Sequence, residues 1–192
     1  MSVVDGAAGS AAETPASIAV PSPHFRDALR WIFQAEGGGK LVTDSGGPTR
    51  WGISKRAHPT VDVESLTQAE AERIYLDSYW RPIRANALPP ALALVVFDTA
   101  VNLGVTQAIK LLQKALRNVV VDGVIGPETV SAAKMYLPRG ELVAQYLAMR
   151  TRYYEDLVAR DESSLRKFGA YLWGWKMRVF RLALEAGMWR GM

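Results

Sequence analysis

Apolar residues recur at helical spacing along most of the chain. Phe25, Leu29 and Ile32 predict a helix that begins at Pro23. Glu36 continues the series four residues after Ile32, so it projects from the apolar face near the helix end. Gly37-Gly38-Gly39 stops this helix. Residues 37–62 are rich in Gly, Thr, Ser and Pro with short apolar pairs, a pattern that predicts a long loop or a small hairpin. Thr67-Gln68-Ala69-Glu70 has the form of a capping box and opens a helix running to about Trp80. Pro82, Pro89 and Pro90 break the chain, after which an apolar helix is predicted over about 90–102 and another over 106–117. Val119-Val120-Val121 predicts a short extended piece closed by an Asp122-Gly123 turn. Pro127 opens a helix to about Leu137, and longer helices are predicted over 139–159 and 163–188. In the last of these, Leu165, Phe168, Leu172, Trp175, Val179, Leu182 and Ala186 form an apolar stripe. The predicted fold class is mainly α, with a small Gly-rich loop or β-hairpin after the first helix. Residues 1–22, dominated by Ala, Ser, Gly and Pro, are expected to form a flexible tail, because they cannot bury enough surface to offset ordering entropy.

Composition narrows the chemistry. The 192 residues are 49% hydrophobic and 22% charged, which suits one full-sized domain over 23–192. There is no cysteine, so disulfides, thiol catalysis and thiolate metal sites are excluded. His24 and His58 are the only histidines, and neither sits in a nucleophile motif; no metal and no cofactor is expected. The net charge is +4 and is unevenly placed. Residues 163–192 carry Arg166, Lys167, Lys176, Arg178, Arg181 and Arg190 against Glu185 alone, a net of +5. No nucleic-acid motif accompanies this charge, so no nucleic-acid partner is expected. A packed terminal helix is the favoured reading; a helix active on lipopolysaccharide or an outer-membrane surface is the second option, since aromatic and basic residues are both abundant. The N-terminus lacks the positive region of a signal peptide and carries Asp5 and Glu13.

The densest chemical signal is the run from Glu36 to Ile53. A glutamate ends a helix on its apolar side, Asp44 follows in a Gly-rich loop, and Thr49 comes five residues later. Glycosidic cleavage needs a proton donor for the leaving oxygen and a second group that handles water or positive charge. A glutamate against apolar surface has its ionised form disfavoured, whereas an aspartate in a wet loop stays charged. Two environments of this kind separate acid and base roles. Trp51 is placed either to stack on a sugar face or to pack in the core. Asp98 and Asn102 lie one turn apart on an apolar helix, where they either line a groove or tie helices together; the second reading is favoured.

Glu36-Gly37-Gly38 followed by Asp44-x-Gly46-Gly47-x-Thr49-x-x-Gly52-Ile53-Ser54 resembles the signature of glycoside hydrolase family 108, the N-acetylmuramidases of phages and bacteria. The Glu, Asp, Thr order is also similar to the triad of phage-type lysozymes. Phe97-Asp98-Thr99-Ala100-Val101-Asn102-Leu103-Gly104 matches a helix that these families share, and Asp122-Gly123-x-x-Gly126-Pro127-x-Thr129 resembles the peptidoglycan-binding-like region fused behind it. Gly174-Trp175 and Arg178 also fit that region. Gly39 stands where the family usually has an aromatic residue, and Arg50-Trp51 replaces an Asn-aromatic pair. The resemblance implies a lysozyme-like helical domain, with a catalytic part over 23–104 and a peptidoglycan-binding-like part over 105–192. It implies Glu36 as catalytic acid and Asp44 and Thr49 as groups that place a water under the sugar; Trp51, Asp98 and Asn102 are the candidate substrate contacts. Peptidoglycan is the implied partner, and a monomer is expected. Manufacture in a host cytoplasm with holin-dependent release to the wall is expected, with carriage in a virion and use as a bacterial effector as the other routes. A lytic transglycosylase and a non-catalytic wall-binding module are the competing readings; the complete Glu-Asp-Thr set argues for hydrolysis.

Overall fold

Helix α1 spans Pro23–Ala35 and buries Phe25, Ala28, Leu29 and Ile32. The computed structural model describes residues 22–44, 47–136, 141–160 and 162–188. Ser22, counted in the tail on composition, is instead the N-cap: its Oγ accepts from the Phe25 amide at 3.2 Å and donates to Asn86 Oδ1 at 3.0 Å. Residues 1–21, the rest of the expected tail, lie outside the described residues. At the other end of α1, Gly37 takes φ +81° and the Gly38 amide reaches back to the Phe33 carbonyl at 2.8 Å, a Schellman-type closure.

The glycine-rich stretch forms three short antiparallel strands in the order β1 (Val42–Asp44), β2 (Gly47–Arg50) and β3 (Ile53–Ser54). Thr49 sits opposite Val42 on one side and Ser54 on the other. The third strand goes beyond the simple hairpin that the sequence predicts. It exists because Trp51 and Gly52 both hold positive φ, 54° and 75°, as a two-residue type I′ turn requires. Ile53, only 1% exposed, pins the sheet to the core.

Helix α2 (Gln68–Tyr75) carries the predicted capping box, with the Thr67 amide donating to Glu70 Oε2 at 2.9 Å and the Glu70 amide to Thr67 Oγ1 at 3.3 Å. It continues to Trp80 as a π turn over Leu76–Trp80. Helix α3 (Pro90–Leu103) is buried on every side from Ala91 to Ala100, as befits a helix apolar all round. Around it pack α1, α4 (Val105–Leu116), α6 (Glu141–Val158) and α7 (Glu162–Met188), while α5 (Pro127–Met135) leans on α4. Phe25, Trp80 and Phe97 form an aromatic cluster with ring centroids 5.2–6.1 Å apart, Trp80 meeting both phenylalanines edge to face. One buried cluster runs from Phe25 to Ala186, so helices from both ends of the chain share a core.

Val119-Val120-Val121 pairs with no strand among the described residues, and Val120 is 71% exposed. The predicted Asp122-Gly123 turn that closes it is held by Gln113, only 1% exposed, whose Nε2 donates to Asp122 Oδ1 and the Val124 carbonyl and whose Oε1 accepts from the Gly123 amide. In α7 the apolar stripe is buried only at Val179, Leu182 and Ala186, while Leu165 is exposed. Loss of the Gln113 amide removes the three hydrogen bonds that hold the turn. Gln113→Ala should therefore lower stability by about 1–3 kcal/mol, read as a shift in the urea midpoint with unchanged slope.

Candidate active site

Glu36 is the C-cap of α1 and is held by an arginine from the far end of the chain. Arg178 Nη1 donates to Glu36 Oε1 at 2.6 Å. The same guanidinium turns its Nε and Nη2 to Asp98, at 3.0 and 2.8 Å to Oδ1. The surface facing the Glu36 carboxylate is thus a cation, which corrects the apolar environment expected from its position on the α1 stripe. Glu36 Oε2 has no hydrogen bond among the described residues, and the side chain keeps 26% of its exposure.

Asp98 organises this arrangement from the middle of α3, with no exposed surface. Besides Arg178, it accepts from Arg150 Nη1 of α6 at 2.6 Å and from the Trp31 indole of α1 at 3.1 Å. Burial works against its charge, but the guanidinium groups of Arg150 and Arg178 outweigh that and hold its carboxyl below the usual carboxylate range. Burial likewise opposes the two guanidinium charges, and the neighbouring carboxylates more than offset it, so both arginines are held above their ordinary value. Two acids and two arginines make a neutral set. Arg150 Nε also donates to the Tyr154 hydroxyl at 2.9 Å, and that hydroxyl donates in turn to Asn102 Oδ1. Asp98 and Asn102 therefore share one polar network that ties α1, α3, α6 and α7 together.

The hairpin meets Glu36 through its backbone. At Gly52, an added Cβ would lie 2.4 Å from the Tyr75 hydroxyl and 2.9 Å from Cβ and Cγ of Glu36, so only glycine lets the strand pass this close. The Tyr75 hydroxyl donates to the Trp51 carbonyl at 2.9 Å, and the Trp51 amide to the Gly38 carbonyl at 3.2 Å. Burial, then the nearby Glu36 charge, push the Tyr75 hydroxyl well above its ordinary value, so it remains a donor. The Trp51 ring packs on Phe33 at 5.0 Å and occupies the space over Gly39, where an added Cβ would lie 2.3 Å from it. Of the two roles open to Trp51, packing is the one its contacts describe. Arg50 braces the loops, donating to the carbonyls of Gly39 and Glu64.

Glu36, Asp98, Asn102 and Trp51 thus converge around the end of α1. Thr49 lies on β2, half-buried, with no side-chain hydrogen bond among the described residues. Asp44 ends β1 opposite Gly47, and its side chain lies outside the described residues. Sequence reasoning missed Arg150 and the inward role of Arg178. Arg178, counted above only among the basic residues of the C-terminal segment and as fitting the second region, points inward with 16% exposure, and Lys176 of the same helix pairs with Glu155 at 2.6 Å. A signal for both existed. Leu142, Tyr146, Arg150, Tyr154 and Val158 follow one another at four-residue spacing, and Arg178 falls between Trp175 and Leu182 on the α7 stripe. A charge inside an apolar stripe calls for a buried partner of opposite sign.

Asp98→Asn leaves two guanidinium groups facing an amide. It should cost about 3–5 kcal/mol at pH 7, measured by denaturant unfolding. Because the folded-state value of Asp98 is depressed, its stabilisation is full above about pH 4 and is lost as pH falls further. The acid limb of the wild-type stability profile should accordingly flatten in Asp98→Asn.

Residues 29–104 match the profile of the glycosyl hydrolase 108 family, and residues 107–180 match that of a predicted peptidoglycan domain. The solved structure of Brucella abortus SagA aligns with a TM-score of 0.73 and 26% identity, covering 86% of this chain and 95% of that one. No curated protein matches the chain. The inward-facing Arg178 lies within the second matched segment and Glu36 within the first, so the two segments meet at this site. Residues 29–104 thus form a glycosyl hydrolase 108 segment and residues 107–180 a peptidoglycan domain, a pairing that supports a glycoside hydrolase acting on peptidoglycan.

Proposed function

We propose that the protein is an N-acetylmuramidase that cleaves the β-1,4 bond between N-acetylmuramic acid and N-acetylglucosamine, with Glu36 as general acid. The observation that carries this reading is the two-sided setting of Glu36: Arg178 holds Oε1, while Oε2 is left without a partner on a partly exposed face. A proton delivered from Oε2 to the leaving glycosidic oxygen leaves a growing negative charge on the carboxylate. The guanidinium already in place stabilises that charge without reorganisation. Arg178 is itself fixed by the buried Asp98, which keeps the acid's position from wandering.

Water is assigned to the hairpin. Asp44 and Thr49 come from adjacent strands of a sheet whose backbone passes against Glu36 at Gly52. A carboxylate and a hydroxyl are the groups needed to orient a water toward the sugar carbon. The order Glu, Asp, Thr along the chain, with the family resemblance, supports this assignment. It favours hydrolysis over a lytic transglycosylase, which closes the sugar on itself and uses no water.

Glu36→Gln retains a hydrogen-bond partner for Arg178 but cannot donate a proton. Turbidity of purified peptidoglycan should fall at least about 10²-fold more slowly, with the melting temperature nearly unchanged. Lysis near the wild-type rate by this folded variant would falsify Glu36 as the acid. Asp44→Asn should cost about 10²-fold and Thr49→Ala about tenfold, since other groups also hold water. Mass spectrometry of the released sugars gives the bond and the chemistry: reducing N-acetylmuramic acid ends are expected, and anhydro ends would replace the hydrolase with a transglycosylase.

A further inference from the structure

A groove of about 660 Å³ runs between α1 and α7, and no role has been assigned to it. Its walls include Trp31 and Gln34 of α1, Asn102 at the end of α3, and Trp173, Gly174 and Arg181 of α7. Arg178 and Ala35 also line it, so it opens beside Glu36.

Three features of the groove point to a sugar-peptide ligand. Trp173 is 73% exposed, a flat apolar face beside polar groups, as in sites that bind sugar rings. Arg181 makes no ion pair or hydrogen bond among the described residues, whereas Arg166, Lys176 and Arg178 of the same helix each pair with an acid. Gly174 lies within the long helix α7, where glycine weakens a helix relative to alanine. A Cβ added there would meet nothing within 4 Å, so the protein itself does not require the small residue and the vacated room belongs to the groove. Asn102 adds a fixed amide: its Oδ1 is taken by Tyr154, which leaves its N–H groups to donate to an acetamido carbonyl.

We propose that this groove is the subsite for the peptidoglycan strand next to Glu36, with Trp173 stacking on a sugar ring and Arg181 pairing with a carboxylate of the peptide stem. The proposal rests on the muramidase reading and adds to it a recognition of the stem, which plain N-acetylglucosamine polymers lack. Arg181 then serves a ligand, in a part of α7 where Arg178 serves the catalytic acid.

The test uses the full chain carrying Glu36→Gln, so that binding is measured without turnover. Two probes are compared: purified insoluble peptidoglycan, and the same material with its stems removed by an amidase. Gly174→Leu, which fills the groove without touching the protein, and Trp173→Ala should each weaken binding to both probes by about tenfold. Arg181→Gln should weaken binding to the intact wall by about fivefold and leave the stem-free glycan unaffected. The melting temperature of Gly174→Leu should be unchanged or higher, which separates a blocked groove from a damaged fold. Should that variant not fold, Trp173→Ala at the exposed surface decides alone. Unchanged binding of both probes by the Trp173 and Gly174 variants would remove the groove from substrate recognition. An equal loss on both probes in Arg181→Gln would remove the stem contact. If the wild-type chain releases no reducing sugar from peptidoglycan, the muramidase reading fails, whatever the binding series shows.

Discussion

Asp98 is a carboxylate with no exposed surface, set in the most apolar helix of the molecule. A charge there is tolerable only if it is paired and hydrogen-bonded, and it draws its partners from three other helices: Trp31 from α1, Arg150 from α6 and Arg178 from α7. Each partner is in turn anchored by its neighbours, Arg150 by Tyr154 and Arg178 by Glu36. Removing either arginine leaves an uncompensated charge in the interior. The network therefore fixes how α6 and α7 dock on α3. Because Arg178 also holds Glu36, it fixes that carboxylate by the same constraint.

This coupling bears on how the two matched segments relate. A glycosyl hydrolase segment ending at residue 104 holds Glu36 and Asp98, but the cations that compensate both acids come from residues 107–180. The core is likewise continuous across that boundary. The peptidoglycan domain is structurally part of the candidate site, and the groove between α1 and α7 is built from both segments.

On the other side of Glu36 the packing comes from the hairpin. Gly39 carries no side chain, and the ring of Trp51 fills the space above it. Trp51 and Gly52 both adopt positive φ, which turns β2 into β3 and brings the strand backbone against Glu36. A bulky residue in that conformation is strained, and the bonds from Tyr75 and to Gly38 hold it there.

The sequence by itself determined the helices, their caps and the acid at the end of the first, because these depend on residues within a turn or two of one another. The spacing of Phe25, Leu29 and Ile32, the Thr67–Glu70 box and the all-apolar α3 are signals of this local kind. It did not announce the type I′ turn, since Trp-Gly lacks the Asn-Gly or Asp-Gly form that usually marks one. Tertiary structure alone decided which charges face inward. Arg178 and Glu36 are 142 residues apart, and Arg178 and Asp98 are 80 apart. Their meeting depends on how α1, α3 and α7 pack. The period of a single helix records that a charged residue lies on the buried face, but it carries no information about the partner waiting there.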